Sequence, residues 1–138
     1  MKILVSACLL GRNCKYNGGN NYSERVVEFV RGKETIKVCP EVLAGLGIPR
    51  IPIEIVNGEL RDREGVSKDA VLREAISKIL KEIEDEDIDC AILKSRSPTC
   101  GPRQVYDGTF TGTLRDGAGL FAQALMDAGI RVIDVEEL

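Results

Sequence analysis

The segment Lys94-Ser95-Arg96-Ser97-Pro98-Thr99-Cys100-Gly101-Pro102 follows the short apolar run Ala91-Ile92-Leu93. It places a cysteine in a loop built from Ser, Pro and Gly. A buried strand that ends in such a loop is typical of α/β proteins, whose ligand sites lie beyond the carboxyl ends of the strands. The segment therefore indicates both a strand of a parallel sheet and a candidate site residue, Cys100.

The same arrangement occurs twice more along the chain. Lys2-Ile3-Leu4-Val5 leads within a few residues to Cys8, and Thr35-Ile36-Lys37-Val38 leads directly to Cys39. Because the carboxyl ends of parallel neighbouring strands meet at one edge of a sheet, we expect the three thiols to converge. The pattern predicts a metal centre held by Cys8, Cys39 and Cys100.

Strand-like runs alternate with helical ones over the whole chain. Apolar residues recur at helical spacing from Ser67 to about Glu86, and shorter helices are predicted from Ser23 to Gly32 and from Gly117 to Asp127. The predicted fold is three-layer α/β: a mostly parallel four-stranded sheet with helices on both faces, in a single domain spanning 1–138. Hairpin excursions are predicted at Asn57-Gly58 and Asp107-Gly108.

Composition narrows the classes of function. The 138 residues include 22 acidic and 19 basic ones, with no dense run of Lys and Arg, which disfavours binding to a nucleic-acid polymer. The apolar runs are too short for a membrane helix and no signal peptide is recognisable, so we expect a cytoplasmic protein without membrane contact. The sequence does not define an oligomeric state.

The chain contains five cysteines and no histidine. This excludes Ser-His and Cys-His nucleophile pairs and every His-ligated metal site. Thiolates without imidazole select an iron-sulfur cluster, zinc or copper(I), and three ligands would leave one position open, as a catalytic metal requires. The alternative is that the cysteines are small core residues, which is the interpretation favoured for Cys90 inside a strand. Cys14 is a fourth ligand, a resolving thiol or a residue without a role.

Other polar residues near these strand ends are candidates for chemistry or for structure. Glu41 suits proton transfer, or else stabilises the first turn of a short helix. Ser97 is a proton relay or a turn-forming hydroxyl. Arg50 and Glu54 bind substrate or pair with one another in a hairpin, and Ser95 is a further candidate for substrate binding.

Five ordered motifs make the chain resemble a known family. They are Val5-Ser6-Ala7-Cys8-Leu9-Leu10-Gly11 with Cys14-Lys15-Tyr16-Asn17-Gly18, then Cys39-Pro40-Glu41, Pro49-Arg50-Ile51-Pro52-Ile53-Glu54, Ser97-Pro98-Thr99-Cys100-Gly101 and Tyr106-Asp107-Gly108-Thr109-Phe110. Together they are similar to a bacterial family long labelled as a domain of unknown function, whose characterised members are 2-thiouracil desulfidases. The similarity covers nearly the whole chain.

The resemblance implies a [4Fe-4S] cluster held by Cys8, Cys39 and Cys100, with its fourth iron free of protein ligands. It implies an enzyme that removes sulfur from a small thiocarbonyl compound by hydrolysis and releases sulfide without electron transfer. Glu41 and Ser97 match the positions that such enzymes use for proton transfer. Lys15 and Asn17 replace the usual Arg and Asp, a departure that bears on substrate choice.

Two rival functions have distinct signatures. In a non-enzymatic iron-sulfur or zinc protein, such as a redox sensor, Cys14 would complete the coordination. In a small-molecule binding module, the cysteines would only be packed, and the protein would stay free of iron after reconstitution.

Overall fold

A computed structural model describes residues 1–138 of the chain. Its elements alternate as the apolar runs predict. The strands are β1 (Lys2–Ser6), β2 (Glu34–Val38), β3 (Ile53–Val56), β4 (Glu59–Asp62), β5 (Cys90–Leu93), β6 (Gln104–Tyr106), β7 (Leu114–Asp116) and β8 (Val132–Asp134). The helices are α1 (Glu24–Val30), α2 (Pro40–Leu43), α3 (Asp69–Ile83) and α4 (Leu120–Asp127), and 3₁₀ turns cover Ala7–Leu10 and Val135–Glu137.

The central sheet has four parallel strands in the order β2-β1-β5-β8. β1 is flanked by β2 and β5, and the connections that lead to these two neighbours pass over opposite faces of the sheet. Such a point of reversal opens a crevice at the carboxyl ends of the strands. The predicted four-stranded α/β sheet is confirmed, and its geometry places a crevice beyond the ends of β1, β2 and β5.

Apolar side chains cover both faces of this sheet and make it the middle of three layers. One face packs Leu4 and Leu93 against α3 and α4, through residues such as Ile79 and Phe121. The other packs Ile3, Val5, Cys90 and Ile92 against Val26 of α1. Cys90 is buried within β5 and serves as a core residue, as its position in the strand predicted.

Two antiparallel hairpins extend from the layered core. β3 and β4 pair around Asn57-Gly58, where both residues have positive φ, 50° and 79°, as the Asn-Gly motif predicts. β6 and β7 also pair, but Asp107-Gly108 does not form a tight turn between them. The amide of Asp107 donates to the carbonyl of Thr113, so the connection is a loop of residues 107–113. Both hairpins lie against the crevice side of the sheet, where the loop reaches the cavity described below.

Candidate metal centre

A cavity of about 450 Å³ lies at the carboxyl ends of β1, β2 and β5. Every site residue predicted from the sequence lines it: Cys8, Cys39, Glu41, Arg50, Glu54, Ser95, Ser97 and Cys100. They come from segments far apart in the chain, which the parallel sheet and the β3-β4 hairpin bring together. The three cysteines share the wall of one cavity.

Each of the three cysteines is positioned by a different local structure. Cys8 lies in the 3₁₀ turn after β1, and the side-chain amide of Asn21 donates to its sulfur at 3.4 Å. Cys39 immediately precedes α2, whose first residue is Pro40. Cys100 lies in the turn after β5, where its amide donates to Ser97 Oγ at 3.0 Å. The thiols are thus fixed by backbone structure before any ligand is considered.

The surroundings of Cys8 and Cys100 oppose the ionisation of these two thiols. Burial raises the pKa of Cys8, although the hydrogen bond from Asn21 lowers it, and the charge of Cys39 raises it again. Burial raises the pKa of Cys100 well above its usual range; the hydrogen bond with Ser6 lowers it, and the charges of Cys39, Glu41 and Cys8 raise it further. These mutual effects show that the thiols lie within electrostatic reach of one another. A metal that binds them displaces their protons.

Cys14 also faces this cavity. It is buried, and burial together with Cys39 raises its pKa to about 12. Its carbonyl oxygen accepts the thiol of Cys39 at 3.9 Å and Nη2 of Arg50 at 2.8 Å. Cys14 is consequently a fourth cysteine at the site, beside Cys39, rather than a distant core residue.

Glu41 is held from two sides. Nε of Arg50 donates to its Oε1 at 3.0 Å, and the hydroxyl of Thr99 donates to its Oε2 at 3.0 Å. Only 16% of the Glu41 side chain and 7% of the Arg50 side chain are exposed. Glu41 also lies in the first turn of α2. It therefore occupies a position that stabilises the helix and at the same time lines the cavity.

Arg50 donates hydrogen bonds to three acceptors around the cavity. Besides Glu41 it donates to the carbonyl oxygens of Gly47 at 3.0 Å and Cys14 at 2.8 Å. Glu54 accepts instead from the amides of Gly108 and Phe110, at 3.0 and 3.2 Å. The alternative in which Arg50 pairs with Glu54 is wrong, because Arg50 precedes β3 and reaches α2 whereas Glu54 lies within β3.

The two serines differ in what they contact. Ser97 Oγ accepts from the amides of Thr99 and Cys100, at 3.2 and 3.0 Å, so it forms the turn that presents Cys100. Ser95 Oγ accepts from Lys94 Nζ and donates to Glu136, both at 3.1 Å. Ser97 therefore keeps a hydroxyl proton to donate, whereas the hydroxyl of Ser95 is engaged on both sides.

Several residues at the site have no local sequence signal. Ser6 is buried beside Cys100, and its hydroxyl accepts the amide of Lys94 at 3.1 Å. Burial lowers the pKa of Lys94, as does the charge of Arg96, while Cys8 opposes the shift. Thr99 and Asn21 act through long-range hydrogen bonds. The Ser-rich loop identified in the sequence contains Thr99, but no pattern pointed to Glu41 as its partner.

The donor set at the cavity consists of thiols, with no imidazole. No group of three or more Cys, Asp or Glu side chains is close enough together to hold a single metal ion. Each thiolate of a cubane cluster binds a different iron atom, so its ligands stand farther apart than those of one zinc ion. The chemistry of the donor set, three thiols lining one cavity in a chain without histidine, suits an iron-sulfur cluster.

Comparison with known proteins agrees with this donor set. The family described as 2-thiouracil desulfurase matches residues 3–137. The chain belongs to this family. A relative from Bacillus subtilis (strain 168), "Uncharacterized protein YbbK", is 37% identical to this chain. The alignment covers 99% of this chain and 97% of the relative.

A solved structure of the "[4Fe-4S]-dependent thiouracil desulfidase TudS" has the same fold. It matches with a TM-score of 0.92 and 32% identity, covering 99% of this chain and 92% of that one. The α/β architecture of the family member described here is therefore that of a desulfidase. None of its helices is both long enough and apolar enough to span a bilayer.

Proposed function

We propose that this protein is an enzyme that hydrolyses the carbon-sulfur bond of a small thiocarbonyl compound resembling 2-thiouracil. The reaction exchanges C=S for C=O, consumes one water and releases hydrogen sulfide, so no electrons are gained or lost overall. The observation that carries the proposal is the meeting of Cys8, Cys39 and Cys100 with Glu41 at one cavity. Family membership and the likeness to TudS support the same chemistry.

We assign Cys8, Cys39 and Cys100 as the ligands of a [4Fe-4S] cluster. When bound, the cluster supplies a Lewis acid with affinity for the soft sulfur of a thiocarbonyl group. The three thiols must lose their protons on binding, and the raised pKa values of Cys8 and Cys100 make cluster assembly pH-dependent. Ser6 and Asn21 orient two of the sulfurs through hydrogen bonds.

Glu41 is the candidate general base. Each of its oxygens accepts one hydrogen bond, from Arg50 or Thr99, and keeps a lone pair that can take a proton from water. The chain has no histidine, and a carboxylate is one of the groups that can take over proton transfer. Arg50 and Thr99 hold it in place and restrict its rotation, so they act as positioning residues.

Ser97 is the candidate proton donor. Its oxygen accepts two amide hydrogens from the turn that presents Cys100, which orients the hydroxyl and leaves its own proton available. The hydroxyl lies in the wall of the cavity and can donate to a polar atom of the substrate. Glu41 and Ser97 thus supply the acceptor and the donor that hydrolysis needs.

We also propose the setting in which the enzyme works. All site residues belong to a single domain spanning 1–138, and five free thiols with an oxygen-sensitive cluster suit the reducing cytoplasm. The substrate is a small molecule that fits the cavity, not a nucleic-acid polymer.

The test is an anaerobic assay with cluster-loaded protein and 2-thiouracil in water enriched in ¹⁸O. We expect sulfide and uracil in equal amounts, with one labelled oxygen in each uracil. The Glu41→Gln variant should retain its cluster and lose roughly 10²–10⁴ of the rate, the usual worth of a general base. A fully loaded wild type that releases no sulfide from thiouracils, thiouridines or other thioamides would overturn the proposal.

The position of Cys14 supports one second candidate, a non-enzymatic iron-sulfur sensor. Cys14 is buried beside Cys39 and lines the same cavity, where it is placed to complete the coordination. Replacement of Cys14 with Ser separates the two functions. An intact cluster with sulfide release in this variant supports the enzyme, and loss of the cluster supports the sensor.

A further inference from the structure

Half of the few aromatic residues in this chain line one cavity. The sequence has three Tyr, three Phe and no Trp. Tyr16, Tyr106 and Phe110 all contribute to the wall of the candidate metal centre. Phe29 and Phe121 pack in the core. A cavity of this size with several aromatic walls is suited to a flat ring, since ring faces stack.

Phe110 has an unusual backbone conformation among these residues. Its φ is +58°, in the left-handed region that non-glycine residues seldom occupy. Such a conformation persists only where the surrounding structure enforces it, and it often marks a functional position. Phe110 lies in the loop of residues 107–113 between β6 and β7, which has no hydrophobic core of its own.

The enforcement comes from Glu54. One of its oxygens accepts from the amides of both Gly108 and Phe110, at 3.0 and 3.2 Å, and only 8% of the residue is exposed. This double acceptor links the loop to β3. The contact is close: a Cβ added to Gly108 would lie 2.5 Å from the carbonyl oxygen of Ile55.

The loop is also cross-linked within itself. Asp107 accepts from both the amide and the hydroxyl of Thr109, at 3.0 and 2.6 Å. The hydroxyls of Thr109, Thr111 and Thr113 continue the chain of hydrogen bonds at 2.6 and 2.9 Å. The loop is therefore ordered before a ligand binds, which lowers the entropic cost of binding.

We infer that Phe110 is a stacking residue for the ring of the substrate, and that Glu54 is the positioning residue that holds it. This rests on the function proposed above and names the residues that select a planar ring over an acyclic thioamide. Glu54 contributes by fixing the backbone of the loop. Its oxygen contacts amides of the protein, so it does not need to contact the substrate.

The first test measures the loop itself, by amide hydrogen exchange of the cluster-loaded protein followed by mass spectrometry. We expect a peptide spanning 107–113 to exchange at least about tenfold faster in Glu54→Ala than in wild type, because two hydrogen bonds are lost. Glu54→Gln keeps an acceptor oxygen and should restore protection. Glu64→Ala, at an exposed glutamate in the turn after β4, is the matched control and should leave this peptide unchanged.

The second test measures binding of uracil, which lacks the reactive sulfur, to the loaded protein by calorimetry. We expect Phe110→Leu to weaken uracil binding by about tenfold, the effect of losing one aromatic stacking contact, and Phe110→Tyr to leave it nearly unchanged. Glu54→Ala should behave like Phe110→Leu, and Glu54→Gln like wild type. Equal affinity in Phe110→Leu and wild type, or no binding of uracil to the wild type, would overturn the role of Phe110.

The third test measures selectivity. The ratio of kcat/KM for 2-thiouracil to kcat/KM for thioacetamide should fall about tenfold in Phe110→Leu, because thioacetamide has no ring to stack on Phe110 and loses less. An equal loss for both substrates would contradict stacking by Phe110, but it would not contradict the proposed desulfidase function. If the proposed function fails, the wild type releases no sulfide. Amide hydrogen exchange and uracil binding then still decide the roles of Glu54 and Phe110.

Discussion

Replacement of Arg50 with Met tests whether this arginine positions Glu41 or binds substrate. In the structure its Nε donates to Glu41 at 3.0 Å, and its two terminal nitrogens donate to the carbonyl oxygens of Gly47 and Cys14. Met has a similar length and no donor. The variant leaves the Glu41 carboxylate with Thr99 as its remaining partner.

The magnitude follows from burial. With 7% of the Arg50 side chain and 16% of the Glu41 side chain exposed, loss of one partner leaves a poorly solvated charge, which costs about 3–5 kcal/mol. For a chain of 138 residues this corresponds to a Tm lower by on the order of 10 °C. A misplaced base should also lower kcat by roughly 10²-fold, the lower end of what general-base catalysis contributes.

The assay combines thermal unfolding with steady-state sulfide release from loaded enzyme. We expect Arg50→Met to lower kcat with little change in KM, because the interaction acts on the base and not on substrate binding. The double variant with Glu41→Gln should be no slower than Glu41→Gln alone. Arg31→Met is the matched control: its partner Glu28 is one helical turn away and both side chains are exposed, so such a pair contributes only about 0.2–1 kcal/mol.

A raised KM with unchanged kcat would refute the positioning role and support direct substrate binding by Arg50. A loss of activity equal to that of an equally destabilised variant elsewhere would also refute it, since the effect would then reflect folding alone.

Three further predictions concern two substitutions and the alkylation of the thiols. Gly101→Ala places a Cβ 2.7 Å from the carbonyl oxygen of Ser97, so denaturant unfolding should show about 1–3 kcal/mol of destabilisation and the iron content should fall. Burial disfavours the charge of Asp69, but the hydrogen bond from Arg73 contributes to a net lowering of its pKa. Wild type should therefore have a higher free energy of unfolding than Asp69→Asn above about pH 4. This difference should close as the pH falls through the pKa of Asp69 in the folded state. In cluster-free protein, mass spectrometry should find that the half-buried thiols of Cys8 and Cys39 are alkylated first. The buried thiols should react later, because the reagent cannot reach them; these are Cys14, Cys90 and Cys100.

Each of these outcomes can fail in a recognisable way. A normal iron content and unchanged stability in Gly101→Ala would show that the turn before β6 tolerates a side chain. A stability gap for Asp69→Asn that stays constant into acid would contradict the lowered pKa. Alkylation of all five thiols at one rate would contradict the burial of Cys100.

The site could be anticipated from the sequence because its cysteines lie at or shortly after the ends of strand-like runs. β1, β2 and β5 are short runs that contain Ile, Leu or Val, and parallel strands align their carboxyl ends. Once the runs were assigned as strands of one sheet, the meeting of Cys8, Cys39 and Cys100 followed from topology alone. The Asn57-Gly58 turn and the periodic α3 were predicted for the same reason, since each is encoded in consecutive residues.

The hydrogen-bond network around the site has no such local code. Thr99 lies 58 residues from Glu41, and Asn21 lies 13 residues from Cys8 across a glycine-rich loop. Which side chains meet depends on the angles at which several loops leave the sheet. Arg50 illustrates the limit, because a position four residues before Glu54 suggested a local pair, whereas the chain carries the two side chains to different partners.

The loop of residues 107–113 shows how side-chain bonds can override a turn motif. Asp107-Gly108 between β-forming residues predicts a hairpin, and β6 and β7 form one, although not with a tight turn at these two residues. The carboxylate of Asp107 accepts from the amide of Thr109, and Glu54 accepts from the amides of Gly108 and Phe110. Backbone pairing therefore resumes only at Thr113, whose carbonyl oxygen accepts from the amide of Asp107. The longer loop is what brings Phe110 to the cavity.

The central claim is that three cysteines hold the cluster and that Cys14 does not. The most direct measurement is iron and acid-labile sulfide per chain after anaerobic reconstitution of the wild type and of five single Cys→Ser variants. The account predicts about four of each in the wild type and in the Cys14 and Cys90 variants, and a severe loss in the variants of Cys8, Cys39 and Cys100. A full cluster in any of those three, or its loss on replacement of Cys14, would contradict the account.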